Sequence, residues 1–84
     1  MNTQLVPLNQ LPLNCLGKVK KLNCHGDIKR RMLDLGIVVS TPIKPILKSP
    51  SGDPTAYEVR GSIIALRKED SENITVSIDK KPVF

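Results

Sequence analysis

The sequence predicts a mainly β fold: a small, strongly bent barrel of five or six short strands with one short helix. Three observations lead there. The chain has 84 residues, enough for one domain with a modest core, since a chain of this size buries only about 60–65% of the surface its unfolded form exposes. Seven prolines and five glycines are scattered rather than clustered, which suits many turns between short strands. Only one stretch has helical spacing of its apolar residues, and most of the others alternate as strands do. With a single Tyr and a single Phe, the core has to be built from Ile, Leu and Val.

Residues 1–14, MNTQLVPLNQLPLN, read as an irregular or short-strand arm. Its Leu5, Leu8, Leu11 and Leu13 are expected to pin it to the core, with residues 1–4 loose. LGKVKKLNC, residues 16–24, has strand composition with lysines on the outward phase. Val19 and Leu22 are three apart, which predicts a bulge or a strand end between them.

GDIKRRMLDLG is the helix, expected over residues 27–35. Gly26 or Asp27 suits the N-cap or first turn. Ile28, Met32 and Leu35 form one apolar stripe at i, i+4 and i+7, and Gly36 stands where a left-handed C-cap is wanted. A helix this short does not persist alone, so it must dock on the sheet.

Residues 40–49 alternate Ile43, Pro45 and Leu47 against Lys44, Ile46 and Lys48. Pro45 cannot donate to a ladder, which predicts an edge position or a bulge there. Pro50 to Pro54 make a turn in which Gly52 supplies a positive φ. TAYEVR then extends with Tyr57 and Val59 on one face. Arg60-Gly61 marks a sharp bend before the strand SIIALR. RKEDSEN is a polar turn or one helical turn, and ITVSI closes the barrel with Ile74, Val76 and Ile78 inward. The basic tail, residues 80–84, is expected to be flexible.

The function classes narrow quickly. A single His, no Ser-His-Asp arrangement and no paired-carboxylate motif argue against an enzyme. No phosphate-cradling Gly-rich loop is present. No apolar run approaches the roughly 18–20 residues of a membrane span, so direct membrane insertion is not expected. The two cysteines are too few for a disulfide framework and no secretory signal precedes them, which points to reduced thiols in the cytoplasm.

The net charge of +5 favours an acidic partner, whether nucleic acid, anionic membrane surface or protein. Basic residues cluster at Lys18, Lys20 and Lys21 and at Lys29, Arg30 and Arg31. The latter group begins two residues after the helix cap, where the dipole disfavours cations. That placement suggests a face that meets something acidic. Nucleic-acid binding is disfavoured, because single-strand binders add stacking aromatics and this chain offers only Tyr57 and Phe84.

Cys15, Cys24 and His25 are candidate ligands for a weakly held transition metal, iron or zinc. Their spacing matches no zinc pattern. The alternative makes the cysteines small buried hydrophobes and His25 a surface residue at a helix start. Tyr57 reads equally well as an exposed interface anchor beside prolines and as a half-buried strand residue.

The run from Arg30 to Val76 resembles the ferrous iron transport protein A family. The motifs are Leu33-Asp34-Leu35-Gly36 after a basic helix, the turn Gly52-Asp53-Pro54, the step Val59-Arg60-Gly61 and the strand Ala65-Leu66-Arg67. The leucine-rich entry from Pro7 to Val19 extends the resemblance to about residues 5–78. Two departures stand out: Val39-Ser40 replaces the family's usual Pro-Gly, and Pro45 lies inside an expected strand.

The resemblance implies an SH3-like barrel with the helix inserted after the first long strand, the fold also used by the C-terminal domain of iron-dependent repressors. It implies a non-enzymatic cytoplasmic accessory of ferrous iron uptake, in a family associated with transition-metal binding. The implied partner is the cytosolic portion of the membrane GTP-dependent ferrous iron permease, which would recruit it to the inner face of the membrane. Self-association is a further expectation. On this reading Lys29, Arg30 and Arg31 on the helix, with Pro50, Asp53 and Tyr57 around the turn, are the expected partner contacts.

Overall fold

A computed structural model describes residues 2–80. The expectations for Met1 and for residues 81–84, including Phe84, lie outside the described residues. Six strands form one antiparallel sheet in the order β1-β6-β2-β3-β4-β5. They are β1 (Asn2–Pro7), β2 (Gly17–Leu22), β3 (Pro42–Lys48), β4 (Thr55–Val59), β5 (Ser62–Leu66) and β6 (Ile74–Lys80). A 3-10 turn, Leu8–Gln10, follows β1. The helix α1 (Gly26–Asp34) joins β2 to β3, and the single-turn helix α2 (Lys68–Ser71) joins β5 to β6.

The N-terminal arm is a full strand. Asn2 to Pro7 pair in register with Lys80 back to Thr75, so residues 2–4, expected to be loose, are part of the ladder. The helix follows β2, the long strand after which it is expected, and the added arm makes β2 the second strand of the chain. Of the four leucines expected to pin the arm, Leu8 and Leu11 are buried and Leu5 and Leu13 are exposed. A strand can bury only one of its faces when it lies on the rim of a sheet, and Leu5 falls on the outer one.

The bulge expected in β2 is present: its pairing with β6 shifts between Val19 and Lys21. In β3 the pairing with β4 shifts between Pro45 and Leu47. The extra residue reverses the side-chain phase, so Leu47, expected inward, is 66% exposed. Pro45 itself is buried and opposite Tyr57. The β2 ladder ends at Ile43, so beyond it β3 is a local edge on that side. The missing N–H of Pro45 faces the loop there, and its carbonyl accepts the Asn14 N–H at 2.6 Å.

The helix starts one residue early. His25 holds the N-cap position without a side-chain hydrogen bond, and the expected caps, Gly26 and Asp27, are already in the first turn. The C-terminus is as expected. Gly36 takes a φ of 86°, the Gly36 N–H bonds the Leu33 carbonyl and the Ile37 N–H bonds the Met32 carbonyl. These are the two bonds of a Schellman cap. Its apolar contact also has its residues, since Met32 and Ile37 are both buried.

Val38 to Thr41 close a turn, with the Thr41 N–H 3.0 Å from the Val38 carbonyl. Ser40 has a φ of 78°, the third-position geometry of a type II turn, where proline then glycine are favoured. The departure from the family's Pro-Gly thus keeps the turn and places an L-residue in the left-handed region. That costs about 1–2 kcal/mol, while glycine adds about 0.5–1 kcal/mol of chain entropy to be lost. Ser40→Gly is therefore expected to stabilise the fold by roughly 0.5–1 kcal/mol, read as a higher urea midpoint. A lower midpoint would contradict this account of the turn.

The core is made of Leu8, Leu11, Val19, Cys24, Met32, Ile37, Ile43, Tyr57, Val59, Leu66, Ile74 and Val76. Every element except α2 contributes or leans on it. Among the described residues no helix is long and apolar enough to cross a membrane.

Candidate partner-binding surface

Two regions carry the residues expected to meet a partner, and the structure treats them differently. On α1, Lys29, Arg30 and Arg31 are all exposed. Arg31 points toward α2, its Nη1 4.0 Å from Asp70 Oδ2. Lys29 and Arg30 make no ion pair among the described residues. At 100° per residue, Lys29 and Leu33 lie on the flank opposite to Arg31, and Arg30 beside them faces away from the buried Met32. Leu33 is 46% exposed. The result is a basic flank with an apolar residue at its centre.

The dipole argument for this face weakens, because α1 begins at Gly26 and Arg31 falls in its last turn, where a cation is favoured. What distinguishes Lys29 and Arg30 is their exposure and lack of partners. Ile28, expected in the buried stripe, is also exposed. Met32 alone on α1 is fully buried.

Around the turn after β3, Pro50 is exposed and Gly52 has a φ of 91°. Asp53 is engaged in the fold. Its Oδ1 accepts the Lys68 N–H at 2.8 Å, so it caps the first turn of α2 from 15 residues away. Its carbonyl accepts the Ser49 and Ser51 hydroxyls at 2.7 and 3.0 Å. Asp53 is thus a loop-fastening residue.

Tyr57 is 1% exposed, which excludes both sequence readings. It is neither an interface anchor nor a half-buried strand residue but a core side chain, and it leaves the set of partner contacts. Burial raises its phenol above the ordinary value of 10.0, with Asp53 adding to the rise, against opposing hydrogen bonds with the Ser71 and Thr55 hydroxyls. Alternation could place Tyr57 on the same face as Val59 but could not say that the face is closed over.

Sequence reasoning missed a polar cavity of about 240 Å³ beside this turn, lined by Asn9, Lys48, Asp53, Thr55, Lys68 and Ser71 among others. Asn9 Oδ1 is buried without a hydrogen-bond partner. No local signal in the sequence joins residue 9 to residues 48–71.

Cys24 is buried, Cys15 is half-buried and His25 is exposed at the N-cap of α1. Among the described residues no three His, Cys, Asp or Glu side chains group closely enough to hold a metal ion. The described residues therefore do not fit a resident transition metal, and Cys24 serves the core.

The FeoA domain profile matches residues 6–78. The chain belongs to the FeoA family. That family is associated with ferrous iron transport and is not a known enzyme family. The chain is similar over its whole length to a FeoA-like protein from Clostridium acetobutylicum, with 30% identity, a TM-score of 0.84 and 96% of that protein covered. It is similar to iron(II) transport protein A from Clostridium thermocellum, with 25% identity and a TM-score of 0.84 over 87% of this chain. The chain spans only 45% of that protein.

A third FeoA, from Stenotrophomonas maltophilia, is 29% identical with a TM-score of 0.70, over 82% of this chain and 86% of that one. It was solved with zinc and is described as a prokaryotic SH3 domain protein and a candidate activating factor of bacterial ferrous iron transport. The SH3-like fold expected for the FeoA family is therefore the fold of this chain. It is shared with T. acidophilum IdeR at 19% identity and a TM-score of 0.79, over 94% of this chain and 36% of that one. No curated protein matches by sequence.

Proposed function

We propose that this FeoA chain is a non-enzymatic accessory of ferrous iron uptake that docks on the cytosolic portion of the membrane GTP-dependent ferrous iron permease. Family membership supports the transport setting. The observation that carries the docking is the outward flank of α1. Lys29 and Arg30 are exposed and unpaired among the described residues, and they flank an exposed Leu33. An apolar centre with a charged rim is the usual anatomy of a transient interface. The chain's net +5 steers it toward an acidic surface. Pro50, at the exposed tip of the turn after β3, remains a secondary contact. The protein acts in the cytoplasm and reaches the inner face of the membrane through its partner.

Calorimetric titration of the purified cytosolic portion of the permease into the chain tests this reading. Lys29→Glu with Arg30→Glu is expected to weaken binding about tenfold or more, most strongly at low salt, as charges at an interface rim act through steering. Equal affinity for the reversed chain at both salt concentrations would remove α1 from the interface.

A further inference from the structure

We propose that β5 is a strand-addition site: an extended segment of the partner, apolar or small at its centre and acidic at its ends, pairs along the free edge of β5. The inference rests on the docking reading above and gives it a second surface with a defined geometry.

β5 is an edge of the sheet, paired only with β4. The two are joined by Arg60 and Gly61, with φ of 52° and 84°. Positive φ at both central residues makes a two-residue type I′ hairpin. In such a hairpin the residues flanking the turn, Val59 and Ser62, exchange both backbone hydrogen bonds, and the pairs then alternate. Tyr57–Ile64 and Thr55–Leu66 are therefore the other hydrogen-bonded pairs. Ile63 and Ala65 stand in the intervening positions, so their N–H and C=O groups point away from β4. No backbone partner outside the β4 ladder takes them up among the described residues.

Edge strands in native proteins are blunted by proline, by charge or by a bulge. SIIAL has none of these. Its ladder with β4 is regular, it contains no charged residue, and Ile63 is 58% exposed. Such an edge is a template for a further strand. Four outward backbone groups on two alternate residues define its register, and Ile63 and Ala65 put an apolar surface on the side facing away from the core.

The charges around the edge select its occupant. Arg60 precedes β5, and Arg67 and Lys68 follow it. All three are exposed and make no ion pair among the described residues. A cationic residue at each end of an uncharged strand complements a segment with acidic ends. A second copy of the chain is a poorer match. The antiparallel self-pairing that uses all four outward groups sets Ile63 opposite Ala65 of the second copy. It also sets Arg60 against Lys68 of that copy, and like charges placed opposite destabilise a ladder.

The test follows amide hydrogen exchange of the intact chain with and without the purified cytosolic portion of the permease, together with the affinity of Ala65→Pro. Proline at 65 removes an outward donor and leaves the β4 ladder intact, a placement that edge strands tolerate. The expected result is new protection of the Ile63 and Ala65 amides in the complex, with a loss of affinity of about tenfold or more for Ala65→Pro. Retained binding by Ala65→Pro, with Ile63 and Ala65 still exchanging freely, overturns the strand-addition site and leaves docking through α1 standing. If the unaltered chain fails to bind, the docking reading itself falls and the site falls with it. Concentration-dependent protection of both amides in the chain alone, with dimers in sedimentation, would assign the edge to a second copy and overturn the proposal.

Discussion

Tyr57→Ala is expected to remove a large share of the fold's stability and to lower the urea midpoint sharply. Tyr57 is the largest of the fully buried side chains, and removing a large aromatic from a packed core costs about 3–5 kcal/mol. A domain of this length has a total stability of only about 4–13 kcal/mol. Tyr57→Phe separates packing from hydrogen bonding. It keeps the ring and removes only the hydroxyl near Ser71 and Thr55, an expected loss of about 1 kcal/mol or less. Urea denaturation followed by far-UV circular dichroism reads both. The raised phenol pKa adds a pH signature. The folded state holds the proton more tightly than the unfolded state, so this contribution is complete below 10.0 and is lost as pH rises from there through the folded value. Near-native stability of Tyr57→Ala would restore Tyr57 as a surface residue and refute its placement in the core.

The second large effect concerns the helix. Met32 is the one fully buried residue of α1, and its carbonyl anchors the Schellman cap through the Ile37 N–H. Nine residues do not sustain a helix in water without such docking. Met32→Ala is expected to cost about 2–5 kcal/mol, and the loss should be uneven. The α1 amides should exchange well ahead of those in β6 and β2, because the sheet core keeps Ile74, Val76 and Val19. The same change should weaken binding to the permease portion even where the sheet stays folded, since Lys29 and Arg30 would no longer be held on one flank. Uniform loss of protection across α1 and the sheet would instead make the helix part of a single cooperative unit.

The parts of this fold that were legible in the sequence are those written in local pattern. The alternation of Tyr57 with Val59 and of Ile74 with Val76, the Gly36 stop and the turn at Gly52 each need only a few neighbouring residues. The bulge between Val19 and Leu22 was visible for the same reason, as a break in phase. What was not legible depends on distant pairing. Asn2 lies against Lys80, so the status of the arm as a strand is decided by the other end of the chain. Leu47 turned outward because a bulge after Pro45 reversed the phase. Tyr57 was ambiguous because half-burial and full burial give the same alternation, and only the closure of the barrel distinguishes them.

The candidate surface divides along the same line. The exposure of Lys29 and Arg30 was readable from helical spacing. The role of Asp53 as a cap for α2 was not, because the bond to Lys68 spans 15 residues. Nor was the open edge of β5, since strand order carries no trace in local periodicity.

The proposed docking of this chain on the permease runs through α1. The most direct measurement is a calorimetric titration of the unaltered chain with the permease's cytosolic portion, repeated with the Lys29→Glu, Arg30→Glu chain. Saturable binding is expected, weakened by rising salt and reduced about tenfold or more by the two reversals. Absence of binding by the unaltered chain, or binding that neither salt nor the reversals change, would contradict it.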